Sequence, residues 1–461
     1  MNFYGREKEQ RQLERIFSAG GMQTCVIYGR RRIGKSELIK HTLKNHTKAT
    51  NGVYYECKQT TEMNNVESLS SLLAEVFGIP RPLFSGIEEL LEFIFQQSLK
   101  EDIILVLDEY PYLRTALTGL DSILQALIDK YREQSNLKFV LCGSYVETMK
   151  ALLNSANPLY GRIDRTIHLK AMDYREASFF YQDFSAEDKV RLYSVFGGVP
   201  YYNRLIDSSL SVRENIQELI ASPGARLENE VSMYLHSEIG KITNTNEVIE
   251  TLAKGYSRFS DILSQSHVSS SPTLADVLDK LIRMDIVAKA APINDENNKR
   301  KTGYYITDQL SLFYYRYCFR YASQLSIMEP GTFYNRYIDE DFETQYVPKS
   351  FESVCRQYLT GLNRTGQIEE PFEKIGKYWF DNPKSKTNGE FDLVTLDRKG
   401  YIFYEVKYRK KPVNQAIIDA EIKQVKQAGL DCYRYGFFSR CGFEKVSGDQ
   451  LILIDLPQLF S

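Results

Sequence analysis

The chain has 461 residues, enough for about three domains with cores of their own, and its 58 lysines and arginines nearly cancel its 60 aspartates and glutamates, so no global field recruits nucleic acid and any basic surface must be local. Seven cysteines without a C-x-x-C pair and five histidines without H-E-x-x-H argue against a zinc site and a disulfide framework. The charged N-terminus and the lack of any apolar run approaching about eighteen residues lead to the expectation of a soluble, cytoplasmic protein with no membrane partner.

From residue 1 to about 170 strand-like apolar runs (24–28, 53–57, 103–107, 139–142 and 166–169) alternate with helical stretches, the pattern of an α/β layer with a parallel sheet. The first run leads into Gly29-Arg30-Arg31-Arg32-Ile33-Gly34-Lys35-Ser36, which fits G-x-x-x-x-G-K-[S/T] with a strand before it and a helix after it. The glycines let backbone N–H groups turn inward on a phosphate, Lys35 adds a point charge for the β- and γ-phosphates, and Ser36 offers a hydroxyl to Mg²⁺. The helix starting at Lys35 points its positive end at the same phosphates. ATP with Mg²⁺ is therefore the expected ligand pair.

The third run ends in Asp108-Glu109, the Walker B form. Asp108 is expected on the Mg²⁺ water shell, and Glu109 is expected to polarise the attacking water. The run 139–142 ends in the polar residue Ser144, and Gly161-Arg162 and Arg165 follow. Arg162 or Arg165 is a candidate arginine finger; pairing of a surface arginine with Asp164 is the other reading of the same residues.

These motifs, with the opening Phe3-Tyr4-Gly5-Arg6-Glu7-Lys8-Glu9 and the turn Phe196-Gly197-Gly198-Val199-Pro200, resemble the archaeal-type ATPases, prokaryotic P-loop proteins related to the AAA+ and STAND ATPases. The arginine-rich loop is the most specific mark. The resemblance implies that the run 139–142 forms a strand between the Walker A and Walker B strands, so that Ser144 senses the γ-phosphate. It also implies that Phe3, Gly5 and Arg6 lie against the adenine end of the nucleotide and that Pro200 closes on it from a small helical lid.

Helix-spaced apolar positions continue over 171–242, the expected lid. Then 247–254, 259–265 and 274–284 read as three short helices, followed by strands at 286–291 and 304–307 around a polar loop, the order of a winged helix over 243–310. The loop residues Asn298-Lys299-Arg300-Lys301 offer a basic wing to DNA, whereas Lys280 and Arg283 on the third helix share it with Asp276 and Asp279, which favours a structural or protein-contact module. Residues 311–348, rich in Phe and Tyr, read as a packed helical connector.

In the last part, 349–461, a helix carrying Glu352 precedes two strands joined at Asp397-Arg398-Lys399-Gly400. A tight hairpin there pairs Asp397 with Gly400 and, counted back along both strands, sets Asp392 opposite Glu405 with Lys407 on their face. Opposed like charges call for something positive between them, and a divalent metal is the candidate. With the helix 415–428 and the strand 433–438 that follow, the pattern resembles the PD-(D/E)XK nucleases of the restriction-endonuclease-like fold, although Glu390-Phe391 stand before Asp392 in place of the usual proline. By that resemblance Asp392 and Glu405 are metal ligands for Mg²⁺ or Mn²⁺, Lys407 positions water or phosphate, and Glu352 is a further acid. The sequence thus leads to an ATP-driven switch, assembling with itself or a protein partner, that controls a DNA-directed metal nuclease. The other reading is a regulatory ATPase whose C-terminal domain only binds DNA or a partner.

Overall fold

Five short runs in the first third of the chain become one parallel sheet. The computed structural model describes residues 3–46, 51–239, 242–298, 300–382, 387–430 and 432–461. These fall into two units, Met1–Ala171 with Val199–Tyr201 and Met172–Gly198 with Tyr202–Ser461.

In the first unit β1 (Gln23–Tyr28), β2 (Asn51–Glu56), β3 (Ile103–Asp108), β4 (Lys138–Gly143) and β5 (Arg165–His168) are ordered β2-β3-β4-β1-β5, every neighbour parallel. Strands covered on both faces cannot alternate polar and apolar residues, and all six residues of β3 and of β4 are buried. Leu105 and Leu107 pack with Leu90, Ile94, Phe95, Leu124 and Ile128 of the flanking helices. Because β4 separates β1 from β3, the turns after all three strands open at one edge of the sheet.

The second unit is built from the helices that follow Met172 and from a second sheet. Residues Thr243–Ala253, Phe259–Gln265 and Ser271–Arg283 form three helices, and β6 (Val287–Ala290) pairs antiparallel with β7 (Gly303–Ile306). The aromatic connector is core: Phe313, Tyr315, Tyr317, Phe342 and Tyr346 are buried, and the helix widens to π-turns at Tyr314–Phe319 and Phe342–Tyr346 where these rings stack on one another. Asp341 closes the cluster by taking Arg316 at 2.7 and 2.8 Å and the Tyr317 hydroxyl at 2.5 Å.

The C-terminal sheet contains β8 (Lys374–Asn382), β9 (Thr387–Asp397), β10 (Gly400–Lys407), β12 (Arg434–Ser439) and β14 (Leu451–Asp455), in the order β14-β12-β10-β9-β8. The short strands β11 (Val413–Asn414) and β13 (Phe443–Glu444) pair apart from it. Strands β8, β9 and β10 run antiparallel, then the helix Gln415–Gln427 carries the chain over to β12, parallel to β10. The hairpin register is the one that the turn dictates, from Gly400 opposite Asp397 to Tyr404 opposite Leu393, and one further step in that register brings Glu405 to Asp392.

Strand β8 is the edge of this sheet, and the loop between β6 and β7 covers it. Ile293 N donates to Lys377 O at 2.8 Å; Asn294 Nδ2 donates to Trp379 O at 2.7 Å and its Oδ1 accepts from Trp379 N at 3.1 Å. Lys301 sets its ammonium 3.4 Å from the centre of the Trp379 ring and pairs with Asp295 at 2.7 Å. The loop expected as a basic DNA wing therefore spends Lys301 inside the protein, because an ammonium over an indole and beside a carboxylate is better held there than in water. Of the other wing residues, Arg300 is exposed and Lys299 lies outside the described residues. On the third helix Lys280 pairs with Asp276 and Arg283 with Asp279, at 2.8 and 2.7 Å.

Trp379 is the single tryptophan of the chain, so its emission reports on this clasp alone. Substituting Asn294→Ala together with Lys301→Ala removes two hydrogen bonds to Trp379, the Lys301–Asp295 ion pair and a cation–π contact worth about 0.5–2 kcal/mol. The emission maximum of the variant should move to longer wavelength as water reaches the indole. A spectrum identical to that of the parent would mean that the loop does not hold the edge in solution.

Candidate functional site

The loop after β1 is shaped by two glycines. Gly34 sits in the left-handed region at φ 92°, and a Cβ on Gly29 would lie 2.3 Å from Leu169 O, so the chain passes against the end of β5 only if that residue has no side chain. Ile33 is buried, and the helix Lys35–Asn45 begins directly after Gly34. Lys35, 5 % exposed, turns its Nζ back on the loop, donating to Gly29 O at 2.9 Å, Arg30 O at 3.1 Å and Ser144 Oγ at 2.8 Å.

Ser144, after β4, relays this charge. Its Oγ donates to Glu109 Oε1 at 2.5 Å and its N–H to Glu109 Oε2 at 3.2 Å, so lysine, hydroxyl and carboxylate form one chain of hydrogen bonds across the edge of the sheet. Glu109 holds the left-handed conformation (φ 50°) between β3 and the helix Tyr110–Ala116, a position that turns its side chain toward β4. Asp108 looks the other way: Ser36 Oγ donates to its Oδ2 at 2.5 Å, the Tyr54 hydroxyl donates to the same oxygen, and Glu109 N donates to Oδ1 at 2.9 Å. Burial raises the Asp108 carboxyl, but hydrogen bonds from Cys142, Ser36, Tyr54 and the Glu109 N–H outweigh it and hold the group below its ordinary value, so it stays ionised. The same burial, with the Asp108 charge, pushes the Tyr54 hydroxyl up and keeps it a donor. Ser36 and Asp108 thus offer two hard oxygens, one anionic, at a helix N-terminus, a donor set that fits Mg²⁺.

The N-terminal segment closes on the loop. Arg6, buried and left-handed like Gly5, donates to Ile33 O at 3.3 Å, and the Phe3 ring stacks on His41 of the P-loop helix at 4.3 Å. Val199–Tyr201 belong to the same unit: Pro200 lies 3.7 Å from where a Gly34 Cβ would be, and the Arg32 guanidinium sits 4.3 Å from the Tyr201 ring centre. Arg30 is buried, and Arg31 bonds the hydroxyls of Tyr112 at 3.1 Å and Tyr145 at 3.0 Å.

Arg162 is not brought to this site. It pairs with Asp129 at 2.7 and 2.8 Å, and its carbonyl accepts from Thr24 Oγ1, at the start of β1. Four strand residues separate Thr24 from the loop, five steps or roughly 16 Å at the rise of a strand. Arg165 is exposed and paired in register with Cys25, at that same far edge, while Asp164 is taken by Arg132. Sequence reasoning also missed Tyr54, Tyr112 and Tyr145. The last two stand three residues after Glu109 and one after Ser144, a spacing that places their side chains at the phosphate edge.

In the C-terminal domain the candidate metal residues are met by lysines. Asp392 Oδ1 takes Lys349 and Lys377, each at 3.1 Å; Glu352 takes Lys349 at 2.5 Å; Glu405 takes Lys407 at 2.7 Å, which also holds Glu421 at 2.7 Å. Each of the two acids thus meets an ammonium of its own, Asp392 those of Lys349 and Lys377 and Glu405 that of Lys407. A divalent metal is the candidate that the sequence offers at this place; in the structure Lys349, one helical turn before Glu352, and Lys377 on β8 bring positive charge to Asp392. Among the described residues no group of three or more His, Cys, Asp or Glu side chains is gathered as a metal centre. Burial sets the directions: it raises Glu405, helped by Glu421 and Asp392, and raises Glu352, whereas at Asp392 the two lysines overcome it and hold the carboxyl low. Lys377 also bonds Glu390 and lies 5.3 Å from the Tyr305 ring centre. Lys377→Met leaves Asp392 and Glu390 short of a donor and should cost the folded chain about 1–3 kcal/mol, read as a lower melting temperature. Unchanged melting would show that these pairs are too solvated to matter.

Comparison with known proteins places the first site within a stretch similar to ATPase domains. Residues 3–205 match a family described as an ATPase domain predominantly from Archaea. Residues 3–205 are thus similar to an ATPase domain, and the P-loop lies within the matched stretch. Residues 314–423 match a second family, described as archaeal and bacterial proteins of unknown function. Along 98 % of its length the chain is 27 % identical to an uncharacterized protein of Methanocaldococcus jannaschii, 98 % of which is covered. An uncharacterized ATP-binding protein of the same organism is 24 % identical over 253 residues, 44 % of this chain and 68 % of that one. Among solved structures, a Walker-type ATPase of Pyrococcus abyssi is 20 % identical with a TM-score of 0.49, covering 68 % of this chain and 96 % of that one. The Aeropyrum pernix ORC2 protein is 15 % identical with a TM-score of 0.45, covering 70 % and 94 %. No described helix is long and apolar enough to cross a membrane.

Proposed function

We propose that the chain is an ATP-binding and ATP-hydrolysing switch of the AAA+/STAND type, in which the ATPase domain governs the state of the C-terminal α/β domain. The observation that carries this reading is the hydrogen-bonded chain from Lys35 through Ser144 to Glu109, beside the Ser36–Asp108 pair. An incoming γ-phosphate competes for Lys35 and Ser144, and Glu109, released from the Ser144 hydroxyl, becomes free to orient a water and take its proton. Ser36 and Asp108 would hold Mg²⁺, which when bound spreads the charge of the β- and γ-phosphates. Phe3, Arg6 and Pro200 line the remaining side of the nucleotide in this reading. Calorimetric titration of the full chain with ATP and Mg²⁺, followed by phosphate-release kinetics, tests it; no heat of binding and no released phosphate would overturn it.

For the C-terminal domain, order of elements and register support a nuclease-like fold, with Asp392, Glu405, Glu352 and Lys407 as its acids and lysine. The lysines already seated on those acids favour the second reading, a domain that binds DNA or a protein partner without cutting. The clasped wing favours the structural role for the three helices and hairpin read as a winged helix. Cleavage of plasmid or single-stranded DNA with Mg²⁺ or Mn²⁺, with and without ATP, separates the two: any nicking lost in Asp392→Asn restores the nuclease reading.

A further inference from the structure

Phosphoryl transfer of this kind calls for a guanidinium at the γ-phosphoryl group, and the two arginines that the sequence offers for it stand at the wrong edge of the sheet. Arg31 stands at the right one. It is the second variable residue of the P-loop, and its Nη2 donates to both Tyr112 and Tyr145, whose rings meet edge to face at 5.9 Å, with the guanidinium 5.3 Å from the Tyr145 ring centre. Tyr145 follows Ser144, which holds Lys35 and Glu109. Tyr112 follows Glu109 by three residues, and its hydroxyl feels the charges of both Arg31 and Glu109. The Arg31 guanidinium is therefore tied to the residue next to Ser144 and to the residue one turn after Glu109, the groups that would hold the phosphate and activate water.

The partners of Arg31 are also unlike those of the arginines around it. Arg162, Arg132 and Arg114 are each tied to a carboxylate, at Asp129, Asp164 and Asp121. Among the described residues no carboxylate pairs with Arg31; it is held by two neutral hydroxyls and a ring face. Such a cradle fixes direction but gives up the guanidinium to an anion, since a charge-assisted bond to phosphate is stronger than a bond to a phenol. Arg6 is turned to Ile33 O and Arg32 to the Tyr201 ring, so neither competes for the position.

We propose that Arg31 is the arginine that acts at the γ-phosphoryl group in cis, exchanging the Tyr112 and Tyr145 hydroxyls for γ-phosphate oxygens when ATP enters. The inference rests on the ATPase reading. In the step it serves, the bond from water oxygen to the γ-phosphorus forms, the bond from that phosphorus to the ADP oxygen breaks, and the water proton passes to Glu109. Arg31 gains or loses no bond; it stabilises the charge gathering on the equatorial oxygens.

The test uses the full chain with Arg31→Ala and Arg31→Lys, measuring ADP affinity, affinity for ADP with aluminium fluoride as a mimic of the transferring phosphoryl group, and single-turnover phosphate release. Arg31→Ala should slow release by at least about 10²-fold and lose most of the extra affinity for the fluoride complex, while ADP binds within about threefold of the parent. Arg31→Lys should not restore the rate, because a point charge lacks the planar fork. Release within threefold of the parent, or ADP affinity falling in parallel with the rate, would overturn the proposal, the second result making Arg31 a structural part of the loop. A parent chain that releases no phosphate would overturn the ATPase reading and this inference together.

Discussion

Glu109→Gln should bind ATP as the parent does and hydrolyse it about 10² to 10⁴ times more slowly, the span expected for loss of a general base. The substitution is nearly isosteric at a site that fixes its side chain from two directions. Glu109 accepts from the Ser144 hydroxyl at 2.5 Å and from the Ser144 N–H at 3.2 Å, and a glutamine oxygen can take either bond. Its backbone lies in the left-handed region at φ 50°, a conformation that glutamine and glutamate strain equally, so the fold gives no reason for ATP affinity to change. What the amide cannot do is receive a proton. Phosphate release in a single turnover, read beside calorimetric ATP binding, checks this. A rate within tenfold of the parent would remove Glu109 from the chemistry and leave Asp108 as the only carboxylate of the edge with a role in it.

How far the sequence foretells this site depends on whether the deciding contact is local. The P-loop, the two carboxylates after β3 and the serine after β4 are legible because each follows a buried strand directly, and a parallel sheet gathers the ends of its strands. The hairpin at 397–400 is legible for the same reason: a tight turn fixes register, and Gly400 opposite Asp397 carries every later pair with it. Arg162 shows where the reasoning stops. Its distance along the chain from β4 says nothing about which edge of the sheet it reaches, and the partner that settles its place, Asp129, lies 33 residues earlier on the helix Leu120–Tyr131. Asp392 and Glu405 show a second limit. Their opposition is local, and so is Lys407, which meets Glu405, but the charges that meet Asp392 come from Lys349, 43 residues before it, and from Lys377 on a strand whose run of mixed aromatic and polar residues has no clean alternation. The wing is a third case, since Lys301 suits DNA and an indole equally well, and its place over Trp379 depends on the edge of β8, far along the chain.

Lys35→Met should weaken ATP binding by about 10²-fold, and it should do so without loosening the fold by more than about 1–3 kcal/mol. Both parts follow from where Nζ is. The ammonium is nearly sealed from water and satisfied by two loop carbonyls and the Ser144 hydroxyl, on the loop that the terminal phosphates of ATP would meet. Methionine keeps the length of the stem and its packing but leaves Gly29 O, Arg30 O and Ser144 Oγ without that donor, which is the stability cost. Removal of the charge also takes away the cation that faces Glu109 through Ser144, and a carboxylate beside an incoming triphosphate then repels it. A charge-assisted bond of about 1.5–3 kcal/mol corresponds to a loss of roughly 10- to 10²-fold in affinity, and the added repulsion places the expectation at the upper end. ADP, without the γ-phosphate that faces Ser144 and Glu109, should lose less than ATP. Calorimetry with both nucleotides and a melting curve on the same preparation give the three numbers. Equal losses for ATP and ADP would mean that Lys35 serves the shape of the loop more than the γ-phosphate, and a melting temperature that collapses would mean that its three bonds hold the P-loop together before any nucleotide arrives.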